Sequence, residues 1–214
     1  LPMSFYAVTP PLGEVRRGLS IMKKNNAALW VPTLYLGESL PFSAVMLISV
    51  IMFKDFGLTD GQITVYTGWL GLPWVIKPLW SPFIDNFKTK RWWILSMQFL
   101  MGIALGMVAF TIPTSYWLQS SLAIFMLIAF ASATHDVSAD GFYIIGLKEK
   151  DQELYVGVRN TFYRIGMVIG QGGLVLLAGY LQDGKLGTAF LSASASWMLV
   201  FLMLGILMLL LGKI

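Results

Sequence analysis

Six long apolar runs, each closed by a short charged turn, constrain this chain more than any other feature. They cover roughly 27–53, 62–83, 93–113, 119–145, 157–181 and 187–211, and each is long enough to cross a hydrocarbon layer as a helix of about 20 residues. The breaks between them, "FKDFGLTDGQ", "DNFKTKR", "PTSYWLQ", "KEKDQELYV" and "LQDGKLG", mix charges with turn formers. With 57% hydrophobic and only 12% charged residues among 214, the composition is that of an integral membrane protein. The runs are continuous and not alternating, which argues against a β-barrel. The expected architecture is all-α, with a cytoplasmic segment over 1–26 and a six-helix transmembrane domain over 27–214.

Basic residues set the expected orientation. Arg16, Arg17, Lys23 and Lys24 precede the first run, Lys88, Lys90 and Arg91 follow the second, Lys148 and Lys150 follow the fourth, and Lys213 follows the sixth. The opposite turns carry only Lys54 and Lys185, both beside aspartates. By the positive-inside rule both ends face the cytoplasm. The same rule accounts for the formal charge of +4 without a nucleic-acid partner.

Charge inside the runs is unevenly shared. Glu38 lies in the first, Lys77 in the second, Asp136 and Asp140 in the fourth, and Arg164 in the fifth. Ionisable groups at such depth are costly and mark a pathway or a partner. The third and sixth runs carry none, so they are expected outside, facing lipid, while 1, 2, 4 and 5 enclose something polar. That order divides the six into two triplets, as an inverted three-plus-three repeat does. Counting along each helix puts Glu38 ~16 Å and Arg164 ~10 Å from the cytoplasmic end, with Lys77 and Asp136 at similar levels. Lys77–Asp136 and Arg164–Asp140 therefore stand as ion pairs that either line the pathway or simply fix helix packing. Glu38 has no obvious cation near it, and Gly37 and Pro41 flank it, which favours a place beside a cavity.

Enzyme chemistry finds little support. There are no cysteines and a single histidine, His135, so no thiolate or histidine-built metal centre is expected, and no cofactor. Asp136 and Asp140 share one helix with two cations available, which is poor geometry for an aspartyl dyad. Gly166, Gly170 and Gly173 in "GMVIGQGG", and the "SASAS" run of the sixth span, are expected to be packing features.

Several of these segments resemble known transporters. "GLPWVIKPLWSPFID" followed by "NFKTKR" resembles the major facilitator superfamily's loop after the second helix, with Asp85 at the helix end and Lys88, Lys90 and Arg91 as its basic part, although its usual glycine is absent. The resemblance implies a cytoplasmic gate; the alternative for Asp85 is a helix-end carboxylate satisfied by water and Lys88. "GESLPFS", "GLPWVIKPLWSPFID", "SATHDVSADGFYI" and "YRIGMVIGQGG" are together similar to AmpG-type muropeptide permeases and the related acetyl-coenzyme A transporters, with His135 where glutamine is usual.

That resemblance implies an N-terminal half of a transporter with twelve or more helices, working with a C-terminal half. It also implies proton-coupled import of anionic sugar–peptide fragments of the cell wall across the bacterial inner membrane. Glu38, Lys77, His135, Asp136, Asp140 and Arg164 are the candidate substrate and proton pathway. The rival readings are a carrier of acetyl-coenzyme A or another organic anion, and a membrane scaffold that transports nothing.

Overall fold

A computed structural model describes residues 27–184 and 191–212, and every regular element among them is helical. The basic residues at 16, 17, 23, 24, 185 and 213 lie outside the described residues, as does most of the last expected turn. Five helices are long and apolar enough to cross a membrane. They are α1 (Ala27–Asp55), α5 (Lys90–Thr111), α6 (Trp117–Gly146), α7 (Glu149–Gln182) and α8 (Ala193–Leu211).

The second expected run, 62–83, is not one helix. It is α2 (Asp60–Leu70), α3 (Leu72–Ile76), a 3-10 turn at Lys77–Leu79 and α4 (Ser81–Asn86). Prolines cause the break. Pro73, Pro78 and Pro82 each lack an N–H, and inside a helix each ring would press on the carbonyl four residues back. Broken helices survive at membrane depth where they line a cavity or are covered by protein. α2 begins with a capping box: Thr59 Oγ1 accepts from the Gln62 N–H at 3.4 Å, while the Thr59 N–H donates to Gln62 Oε1 at 3.0 Å.

α1 packs along α7, as the broken second span packs along α6, while α5 lies between α6 and α8. This is the exchange of partners that two inverted triplets produce. Two of the three glycines in the α7 stripe make the α1 contact possible. A Cβ on Gly166 would lie 1.9 Å from Ser39 Oγ, and one on Gly170 would lie 2.3 Å from Ser43 Oγ, whereas Gly173 faces open space. Both helices widen into a π-helical turn along this seam, at Ala44–Ile48 and Ile169–Leu174.

α5 and α8 meet just as closely, through backbone: a Cβ on Gly205 would sit 2.8 Å from the Gly102 carbonyl oxygen. Their outer faces carry apolar stripes, Leu95, Phe99, Ile103 and Met107 on α5 and Leu199, Met203, Ile206 and Leu210 on α8, all exposed. No other described helix covers these stripes, and similar exposed apolar residues also stand on the charged spans, among them Val65, Leu79, Val168 and Leu176. Inside, Phe53, Phe125, Trp197 and Phe201 fill the core where α1, α6 and α8 converge. In the "SASAS" run Ser196 is buried, and Ser192 Oγ caps α8 by accepting from the Ala195 N–H at 3.2 Å.

Candidate functional site

The charged residues gather where α1, α6, α7 and the broken second span face one another. Lys77 sits in the 3-10 turn, so the proline break presents its ammonium to α6. There it pairs with Asp136 Oδ2. The side chains remain 34% and 18% exposed, so the pair lines a space and is not sealed in a core. The expected Lys77–Asp136 pairing is therefore present.

Glu38 is 7% exposed and its Oε2 has no hydrogen-bond partner among the described residues. It is not isolated electrostatically. Asp136 lies within hydrogen-bonding reach of its carboxyl, and Asp140 and Arg159 act on it from further off. Two carboxylates both accept and neither donates, so Glu38 and Asp136 can bond only through a shared proton. Among these groups stand three carboxyls, Glu38, Asp136 and Asp140, against two cations, Lys77 and Arg159. One added proton makes the group neutral.

The second ion pair differs from the expected one. Asp140 pairs with Arg159, at 2.9 Å, and not with Arg164, which is exposed. The reason is helical phase. Arg159, Tyr163, Gly166 and Gly170 follow the spacing i, i+4, i+7, i+11 and form one stripe turned toward α1, whereas Arg164 lies five residues and about 140° round from Arg159. Extending the glycine stripe two turns backward was the signal that points to Arg159. The helix extends beyond the expected apolar run: α7 begins at Glu149, with Glu149 and Asp151 in its first turn where the helix dipole favours acids.

Arg159 is held on several sides. Its Nη1 donates to the Tyr35 hydroxyl at 3.2 Å, and that hydroxyl donates to Asp140 Oδ1 at 3.1 Å. The guanidinium carbon lies 4.8 Å from the Tyr35 ring centre and 5.4 Å from that of Tyr143, within cation–π range. Tyr143 is itself tied down, donating to the Gln152 carbonyl at 2.5 Å. Neither tyrosine was singled out by its charge pattern, because neither carries one.

His135 is fully buried, and neither ring nitrogen has a hydrogen-bond partner among the described residues. Next to Asp136 in sequence, it points about 100° away round α6. It therefore stands apart from the ion pairs among the described residues.

At the end of the domain that carries the basic turns, Asp85 Oδ1 pairs with Lys90 and not with Lys88. Lys90 is buried and its side chain lies across α6: a Cβ on Gly141 would meet Lys90 Cε at 2.8 Å. Lys88 adopts φ 62°, in the left-handed region, so the loop keeps a glycine-like bend without a glycine. Its ammonium sits 6.0 Å from the centre of a Trp92 ring, and Arg91 is exposed.

Residues 41–211 match the family model described as the BT1 family, which covers most of the chain and both ion pairs. This chain belongs to the BT1 family. Over 123 residues the BT1 chain is 32% identical to the anhydromuropeptide permease of Escherichia coli (strain K12), a match covering 55% of this chain and 24% of that permease. Over 149 residues it is 27% identical to the protein named AmpG 4 of Rickettsia conorii, covering 66% of this chain and 36% of that protein. The BT1 chain thus spans well under half the length of the curated relatives it matches. No solved structure matches it. Family membership and five helices of spanning length make this BT1 chain an integral membrane protein.

Proposed function

We propose that this domain is one half of a proton-coupled secondary transporter that imports anhydromuropeptides across the bacterial inner membrane, working with a second six-helix half. The observation that carries the reading is Glu38: a carboxyl 7% exposed, with an unpartnered oxygen, set against an aspartate already held by Lys77. A carboxylate at such a place is costly unless it takes a proton or meets a cation. A site that gains and loses one proton is what a symporter needs. The substrate class is supported by the name of the Escherichia coli relative. A sugar–peptide bears carboxylates, and Lys77 and Arg159 supply the positive partners, the arginine with a planar fork suited to a carboxylate.

A cytoplasmic location for both termini is supported by Lys88, Lys90, Arg91, Lys148 and Lys150, which share one end of the domain. Asp85 and Lys90 form the gate at that end, bracing the loop against α6 during the change of access.

The test is uptake of labelled anhydromuropeptide into vesicles holding the assembled transporter, driven by an imposed pH gradient, with acetyl-coenzyme A as competitor. Glu38→Gln keeps size and polarity but cannot titrate. It is expected to lose accumulation against a gradient while keeping substrate exchange. A well-folded Gln variant that still concentrates substrate would end the reading, and competition by acetyl-coenzyme A but not by unlabelled muropeptide would move it to the organic-anion carriers.

A further inference from the structure

Glu38, Asp136 and Asp140 form a staircase. α1 and α6 run antiparallel, so Tyr35, about one turn before Glu38, stands level with Asp140, one turn after Asp136, and bonds to it. Exposure rises along the steps: Glu38 as a residue is 7% exposed, and the side chains of Asp136 and Asp140 are 18% and 41% exposed. The steps lead toward the end bearing Lys90 and Lys148, because α6 reaches that end just beyond Asp140, at Gly146.

Among the described residues, the titratable and charged groups facing the staircase are Tyr35 and Glu38 from α1, Lys77 from the broken span, and Asp136, Asp140 and Tyr143 from α6. Arg159 and Tyr163 face it from α7. Glu38, the most buried of the three carboxyls and with Oε2 unpartnered among the described residues, is its deepest step.

Resting on the proton-coupled reading above, we infer that the proton leaves by this staircase, from Glu38 to Asp136 to Asp140 and out to the basic end, and that Arg159 and Tyr35 are the positioning residues of its last step. Each transfer moves one proton between carboxyl oxygens and leaves a carboxylate behind. On Asp136 the proton neutralises the partner of Lys77 and frees that ammonium for a carboxylate of the substrate. When the proton passes on to Asp140, Asp136 is again charged, reclaims Lys77, and expels the substrate's anion. Asp140 then gives its proton to solvent and resumes its pairing with Arg159. Order in the ladder thereby links proton exit to substrate exit on one side.

The experiment compares Asp140→Asn, Arg159→Lys, Arg159→Gln and Tyr35→Phe with wild type in vesicles holding the assembled transporter and labelled anhydromuropeptide. Net uptake under a pH gradient and exchange at equal pH are measured for each, as functions of pH. Asp140→Asn is expected to lose net uptake by roughly 100-fold, the scale of a removed proton-transfer group, and to lose exchange far less. Arg159→Gln is expected to shift the pH profile of net uptake, Arg159→Lys to restore it in part, and Tyr35→Phe to slow net uptake more than exchange.

As a readout independent of transport, infrared difference spectra of the protonated-carboxyl band across a pH titration should lose a component in Asp140→Asn. An Asp140→Asn variant with normal coupled uptake, or one with an unaltered carboxyl band, overturns the staircase. So does one that folds but has lost exchange and net uptake equally, since Asp140 would then only hold the helices. A wild type whose uptake ignores the pH gradient overturns instead the proton-coupled reading beneath it, which keeps the two failures apart.

Discussion

Trp197 Nε1 donates to Asp55 Oδ2 at 2.9 Å, joining the end of α1 to a tryptophan that is 1% exposed on α8. The same oxygen accepts from Gln182 Nε2 at 3.0 Å, so one carboxylate ties the ends of three spans. Removing it leaves a buried indole N–H without an acceptor. Asp55→Ala is expected to lower stability by about 1–3 kcal/mol, and Asp55→Asn by less because an amide oxygen remains. Thermal unfolding in detergent micelles measures this, and equal midpoints for wild type and Asp55→Ala would contradict it.

Lys77 and Asp136 should be energetically coupled. Each single neutralisation, Lys77→Met or Asp136→Asn, strands the other charge, so the double variant should be less damaged than the sum of the two. A coupling of about 1–2 kcal/mol is expected, modest because part of Lys77 stays exposed. Strictly additive losses in folded yield and melting would mean that the two do not interact.

The α7 glycines divide into two kinds. Alanine at Gly166 or Gly170 pushes a methyl into Ser39 or Ser43 and should destabilise by about 1–3 kcal/mol, the usual cost of overpacking. Alanine at Gly173 meets nothing within 4 Å and should be neutral or slightly stabilising. Serine-to-glycine exchange at position 39 should partly rescue Gly166→Ala. A Gly173→Ala variant as damaged as Gly166→Ala would show that the α1–α7 seam is placed differently.

The proposed gate can be disturbed from two directions. Asp85→Asn weakens the pair with Lys90 directly, while Gly141→Ala displaces the Lys90 side chain from its place on α6. If the proposed transport reading holds, both should slow uptake severalfold with substrate affinity unchanged, since neither residue lies among the charges of the proposed pathway. Wild-type rates in both variants, at equal amounts of folded protein, would remove the gating role.

Much of this domain follows from one-dimensional properties. The length of five of the apolar runs already determines which helices are long enough to span the membrane, because hydrocarbon admits no unpaired backbone and little charge. Depth counted along the chain was enough to bring Lys77 to Asp136. The proline spacing at 73, 78 and 82 already carried the break in the second span, although length alone reads that segment as one helix.

Which arginine meets Asp140 was decided only by the tertiary structure. Arg159 and Arg164 lie on the same helix with equal charge, and composition or depth cannot rank them. The choice is a rotation, set by Gly166 and Gly170 letting α7 close on Ser39 and Ser43 of α1. That rotation carries Arg159 between Tyr35 and Tyr143 and turns Arg164 outward. The neighbours of Glu38 were hidden for the same reason: they come from other helices, and only the antiparallel packing of α1 on α6 brings its carboxyl to Asp136.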